Sequence, residues 1–191
     1  MDKGAPFLLD LSAFAEAALI EGARNAQPVM GLTHNFYRYP ARFSPAFVRA
    51  AINAFTEPGD YVLDPYVGGG TSLIEAMALG RHAVGVDISE LAEFVTKVKT
   101  SILSENELSQ LELWAETLPN RIHIQRPAPR FASYAARGYY KHLDHHSRWR
   151  LRKAIEQALG SVLTLDSARM EAFGRSVMLR TAQWALDGRN K

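Results

Sequence analysis

Two aspartates in this chain are spaced to act on one ligand, and three consecutive glycines stand between them. Asp64 closes the run Tyr61-Val-Leu-Asp64 and is followed by Pro65-Tyr66-Val67-Gly68-Gly69-Gly70-Thr71-Ser72. Asp87 closes a second run, Ala83-Val-Gly-Val-Asp87. Each run reads as a buried β-strand ending on a carboxylate, and the glycines read as a turn that opens a helix. Glycine accepts positive φ cheaply and lets a ligand approach the main chain closely. Strand, glycine turn and helix N-terminus together form the shared element of nucleotide-binding α/β folds.

The spacing narrows the ligand. The dinucleotide fingerprint Gly-x-Gly-x-x-Gly is not matched, because Gly68, Gly69 and Gly70 are contiguous and Thr71 follows at once. No Gly-Lys-Ser/Thr follows either, so the phosphate-binding loop of nucleotide triphosphatases is also excluded. A carboxylate at the strand end would repel a pyrophosphate but suits an ammonium group. Asp64 therefore argues for S-adenosylmethionine over NAD or ATP. Asp87 stands where a carboxylate accepts hydrogen bonds from ribose hydroxyls, and Ile88 beside it could cover an adenine face. Asp64 alone could be a plain strand-end acid; the pair, with its glycines, carries the reading.

The elements that position these residues follow from periodicity and punctuation. Residues 7–21 read as a short amphipathic helix ending near Gly22, and Ala23 to Tyr39 as loop, broken by Pro28 and Gly31. Ser44 and Pro45 cap and open a helix through Phe55. Glu57-Pro-Gly-Asp60 turns into the first strand. A helix over about 72–78 closes at Gly80, the second strand spans 82–87, and a further helix opens at Ser89 and runs to about 101. Another helix covers about 105–118 and is expected to stop at Pro119. Residues 121–147 show no clean period; two helices are expected over 148–159 and 167–186. The strand–helix–strand order implies a right-handed parallel unit. It supplies two or three strands, fewer than a doubly wound sheet needs, so an incomplete α/β fold is expected, divided into residues 1–120 and a basic extension, 121–191.

Length and composition bound the class. A chain of 191 residues with 47% hydrophobic and 22% charged residues is that of an ordinary globular protein. No apolar run is long enough for a membrane helix, and Met1 to Pro6 lack a signal pattern. With no cysteine, disulfides, thiolate zinc sites and a cysteine nucleophile are excluded; a cytoplasmic location is expected. The net charge of +2 conceals an asymmetry. Residues 1–120 carry 8 Lys/Arg against 15 Asp/Glu, and residues 121–153 carry 9 against one, Asp144. Such segregation suggests an anionic partner at the basic block. There Arg126, Arg130, Arg137, Lys141, Arg148, Arg150 and Arg152 interleave with Phe131, Tyr134, Tyr139, Tyr140 and Trp149. Cations with aromatics are the composition of a nucleic-acid-binding surface, and a solvated insertion is the plainer alternative. His142, His145 and His146 read as a surface cluster, not a metal site, and no hydrolase nucleophile elbow is present.

Three blocks together resemble a known family. They are His34-Asn-Phe-Tyr-Arg-Tyr-Pro-Ala-Arg-Phe-Ser-Pro45, then Pro58-Gly-Asp-Tyr-Val-Leu-Asp-Pro-Tyr-Val-Gly-Gly-Gly-Thr71, then Gly80-Arg-His-Ala-Val-Gly-Val-Asp-Ile88. This pattern is similar to the cofactor half of the amino-methylating DNA methyltransferases, which modify adenine N6 or cytosine N4. The resemblance implies a Rossmann-like S-adenosylmethionine-dependent fold, direct methyl transfer to an exocyclic amine, and double-stranded DNA with a flipped base as substrate. It implies that Tyr39, Pro40, Ala41 and Phe43 line the methionine end of the cofactor, with Asp64, Pro65, Tyr66, Gly68, Gly69, Gly70, Thr71, Asp87 and Ile88 completing the site. Tyr66 and Gly69 depart mildly from the family's usual Phe and Ser. The family's catalytic Asp/Asn/Ser-Pro-Pro-Tyr/Phe is absent from the 191 residues, so no catalytic residue is assigned. A truncated enzyme, or one chain of a split enzyme whose partner carries that motif, is expected. The alternatives are an RNA methyltransferase and a cofactor-binding module without catalysis.

Overall fold

A computed structural model of the protein describes residues 11–40, 42–125, 136 and 148–187. The chain divides into two compact units, Met1–Thr100 and Ser101–Lys191.

In the first unit, α1 (Ala13–Arg24) starts at Ser12, whose hydroxyl accepts the Ala15 N–H at 3.2 Å. Gly22 was expected to end this helix and instead lies buried inside it. A Cβ there would sit 2.7 Å from the Phe47 Cα. The glycine thus permits close contact with α2 (Pro45–Phe55) and is not a stop signal. Pro45 occupies the first turn of α2, where its missing N–H costs nothing. Val48 and Ile52 of α2 pack on Ala76, with Phe47, Val62, Leu79 and Ala83 around them.

Strand β1 (Tyr61–Asp64) pairs in parallel with β2 (His82–Gly85), in the register Tyr61 to His82 through Asp64 to Gly85. The second strand stops two residues before Asp87, although the Val86 N–H still reaches the Asp64 carbonyl at 2.9 Å. Between the strands lies α3 (Thr71–Ala78), and α4 (Glu90–Thr100) follows β2. Alternation along a strand splits the side chains between two faces. Val62 and Ala83 face the helices. Tyr61, Leu63, Val84 and Val86 are exposed. The sheet has two strands among the described residues; the fold is α/β with a small parallel sheet.

In the second unit, α5 (Glu105–Arg121) begins with a capping box. The Ser104 hydroxyl accepts the Glu107 N–H at 3.3 Å, and Glu107 accepts the Ser104 N–H at 2.9 Å. Pro119 does not stop this helix as expected; α5 continues to Arg121. Leu118 and Ile122, on either side of the proline, both pack against Trp114, Ala158, Val162 and Met178. That packing outweighs one lost backbone hydrogen bond in the last turn. Further along this unit, the described residues form α6 (Trp149–Val162) and α7 (Ala168–Asp187).

Candidate functional site

Parallel pairing puts Asp64 and Asp87 at the same edge of the sheet, each just at or beyond the C-terminal end of its strand. Between them the chain makes a tight turn in which Gly68 has φ +48° and Gly70 has φ +78°. Only glycine adopts this region without strain. Gly70 then caps α3 with no side-chain bond of its own.

Asp87 holds the turn together. Its Oδ2 accepts the Gly68 N–H at 2.9 Å and its Oδ1 accepts the Ser89 N–H at 2.9 Å. These bonds, Ser89 first and Gly68 next, hold the Asp87 carboxyl below its ordinary range, against a smaller opposing effect of burial. Asp64 is half-buried, and its Oδ1 accepts the Tyr66 N–H at 3.0 Å. Among the described residues nothing is bonded to Asp64 Oδ2.

Tyr39 and α4 enclose the turn. A Cβ on Gly68 would meet the Tyr39 ring at 3.4 Å, and one on Gly69 would meet the Tyr39 Cβ at 2.8 Å. From α4, the Thr96 hydroxyl donates to the Gly68 carbonyl at 3.2 Å and the Lys99 ammonium to the Gly69 carbonyl at 2.9 Å. Gly70 has no room for a side chain, since its Cβ would lie 2.9 Å from Thr96 Oγ1. Lys99 is buried, and burial together with the nearby Arg42 charge pushes its pKa down to about 8. Neither Thr96 nor Lys99 is evident as a site residue from sequence. The available signal is a lysine falling on the buried stripe of α4, beside Ala92, Val95 and Val98.

A cavity of about 320 Å³ adjoins Asp87 and is lined by Val67, Leu73, Gly85, Val86 and Thr96 among others. Pro40, Tyr66 and Ile88 are exposed. Phe43 lines a different cavity of about 410 Å³, with Pro28, Met30 and Arg42. Thr71 is buried at the first position of α3. Ala41 lies outside the described residues.

A second buried group supports α3. Glu75 accepts from the Arg49 Nε at 2.7 Å, and its other oxygen lies 2.7 Å from the His34 Nε2. Burial would raise the Glu75 pKa, but the His34 and Arg49 contacts outweigh it and hold the value below 4.5. His34 belongs to the first sequence block, so this pair ties that block to the helix after the glycine turn.

Of the basic block, Arg126, Arg130, Arg137 and Lys141 lie outside the described residues, as do His142, His145 and His146. Arg148 precedes α6, and Arg150 sits 5.6 Å from the Trp149 ring centre. Lys153 lies 5.5 Å from the same ring. The described residues hold no cluster of three or more metal-ligating side chains. No helix among them is long and apolar enough to cross a membrane.

Residues 22–97 match the family described as DNA methylase. The chain is 33% identical over 82 residues to the Type II methyltransferase M.MvaI of Kocuria varians, covering 41% of this chain and 18% of the relative. It is 32% identical over 106 residues to M.XycI of Xanthomonas campestris pv. cyanopsidis, covering 54% and 35%. With M.BsoBI of Geobacillus stearothermophilus the identity is 35% over 74 residues, covering 38% and 14%. The chain thus spans only a fraction, about a third at most, of these relatives. No solved structure matches it.

Proposed function

We propose that this chain, whose residues 22–97 belong to the DNA methylase family, supplies the S-adenosylmethionine site of a DNA methyltransferase. The reaction is methylation of an exocyclic amine, adenine N6 or cytosine N4. The observation that carries this reading is the glycine turn between two carboxylates on one sheet edge. The cradle fits the cofactor. Asp64 keeps a free oxygen for an ammonium group, and Asp87 keeps acceptor capacity beyond its backbone bonds for ribose hydroxyls. The lack of side chains at Gly69 and Gly70 lets Tyr39 and Thr96 close on the turn and hold its shape.

When bound, S-adenosylmethionine supplies an activated methyl group. The chain's own part is to bind and orient: Asp87 keeps the turn closed, Tyr39 packs on it, and the two acids fix opposite ends of the nucleoside. Orientation of this kind supplies much of the rate in a direct transfer. Pro40, Ala41, Phe43, Pro65, Tyr66, Thr71 and Ile88 remain candidate cofactor contacts. Arg126, Arg130, Arg137, Lys141, Arg148 and Arg150 remain candidate DNA contacts, in keeping with a cytoplasmic, DNA-modifying protein.

The groups that receive the target base come from polypeptide outside these 191 residues, either the rest of a longer protein or a second chain. The exposed Tyr61, Leu63, Val84 and Val86 support this, because an apolar sheet face is ordinarily covered. Methyl transfer from labelled cofactor to DNA and to RNA, with the chain alone and with the product of its genomic neighbour, tests the reading. Labelling of DNA only in the combined reaction is expected. Labelling of RNA alone would favour an RNA enzyme, and no labelling in any reaction would leave a binding module.

A further inference from the structure

Thr96 and Lys99 lie three residues apart on α4, hence on one face of it. They take the carbonyls of two successive residues of the turn, Gly68 and Gly69. In a trans peptide the C=O and the following N–H point in opposite directions. Pinning the Gly68 carbonyl to Thr96 therefore turns the Gly69 N–H away from α4. The Gly70 N–H is used internally, donating to the Val67 carbonyl at 2.8 Å. The Gly69 N–H has no acceptor among the described residues. Behind it stands a buried ammonium, and a Cβ on Gly69 would lie only 3.7 Å from that nitrogen.

Lys99 is 4% exposed and forms no ion pair with any described carboxylate. Arg42, close enough to act on Lys99 by its charge, donates to the His34 carbonyl at 3.3 Å and also has no described carboxylate partner. Burying a cation without a counter-charge is costly, and a carbonyl returns only part of that cost. Such a site is electrostatically incomplete until an anion reaches it.

We propose that Lys99 is a positioning residue that makes the glycine turn selective for a ligand bearing a carboxylate, which docks on the Gly69 N–H with the Lys99 charge behind it. This rests on the S-adenosylmethionine reading and adds to it the source of discrimination for the amino-acid carboxylate. Lys99 acts through the Gly69 peptide and through space, while Thr96 sets the direction of the N–H. The field of a buried charge at this range is strong because little water screens it.

The test uses the full chain and two probes, S-adenosylhomocysteine and its decarboxylated analogue, with affinities measured calorimetrically. Lys99→Met is expected to weaken S-adenosylhomocysteine about tenfold and the analogue less than about twofold. Lys99→Arg is expected to restore most of the preference, and Thr96→Val to weaken both probes. Should Lys99→Met not fold by circular dichroism, Lys99→Gln keeps a donor for the Gly69 carbonyl, removes the charge and answers the same question. Equal loss for both probes in the Lys99→Met or Lys99→Gln chain, or no loss for either, overturns this inference and leaves the cofactor reading intact. A folded wild-type chain that binds neither probe overturns the cofactor reading and this inference with it.

Discussion

The Asp87 carboxylate accepts the Gly68 N–H at 2.9 Å, so the acid after the second strand holds the turn after the first. The two halves of the candidate site are thereby one hydrogen-bonded unit before any ligand arrives. Asp87→Ala is expected to weaken S-adenosylmethionine more than tenfold, because it removes ligand acceptors and loosens the turn together. Asp87→Asn keeps one acceptor oxygen, which turned toward Gly68 should retain that bond while the Ser89 bond and part of the affinity are lost. Amide exchange at Gly68 separates the two effects: it should accelerate in Asp87→Ala and stay slow in Asp87→Asn.

Gly70 and Gly80 both have positive φ, +78° and +74°, but differ in surroundings. A Cβ at Gly70 meets Thr96 Oγ1 at 2.9 Å, whereas at Gly80 nothing lies within 4 Å. Gly80→Ala should cost about 1 kcal/mol of backbone strain. Gly70→Ala should cost more and also displace Thr96, abolishing cofactor binding. Chemical denaturation of both variants, with binding measured on the folded fraction, checks the contrast.

Glu75 is buried between His34 and a half-exposed Arg49. Glu75→Ala leaves His34 buried without its acceptor and is expected to destabilise the first unit by about 3 kcal/mol, near the lower end for breaking a buried pair because water can reach Arg49. Since the Glu75 pKa is depressed, its contribution is present above the ordinary value of 4.5 and fades as pH falls below it. Urea midpoints at pH 7 and pH 4 should therefore differ less in Glu75→Ala than in the wild type.

The second unit has its own acid-sensitive contact. Glu107 accepts from the Ser104 N–H, the Ser167 hydroxyl and the Arg169 Nε. The Ser104 bond, followed by Ser167, lowers its pKa from 4.5 to about 2, with burial opposing. The unfolded chain then binds a proton before the folded one does, so this stabilisation is full above pH 4.5 and is lost between there and about 2. In Glu107→Gln that portion of the acid transition should vanish, which a pH-dependent thermal melt followed by tryptophan fluorescence would register, since all three tryptophans lie in this unit.

The strands, the glycine turn and the two acids were legible in the sequence because each is a local feature: an apolar run, three glycines, a strand-end carboxylate. Ser44 and Pro45 likewise marked the start of α2 by local capping chemistry. What local patterns missed was decided by packing. Gly22 looked like a helix stop and serves a close helix crossing against Phe47. Pro119 looked like another, yet Leu118 and Ile122 carry α5 past it. Lys99 was hidden because its partner, the Gly69 carbonyl, is thirty residues away and is a main-chain atom with no signature of its own. The two short strands among the described residues leave an apolar face whose cover no local pattern announces.

Titration of S-adenosylmethionine into the intact chain tests the cofactor site most directly. Saturable binding at one site with a Kd near micromolar, weakened more than tenfold by Asp64→Ala and by Asp87→Ala, is expected. A folded chain that takes up no S-adenosylmethionine at millimolar concentration, or binds it unchanged after both acids are removed, would contradict the two-carboxylate site.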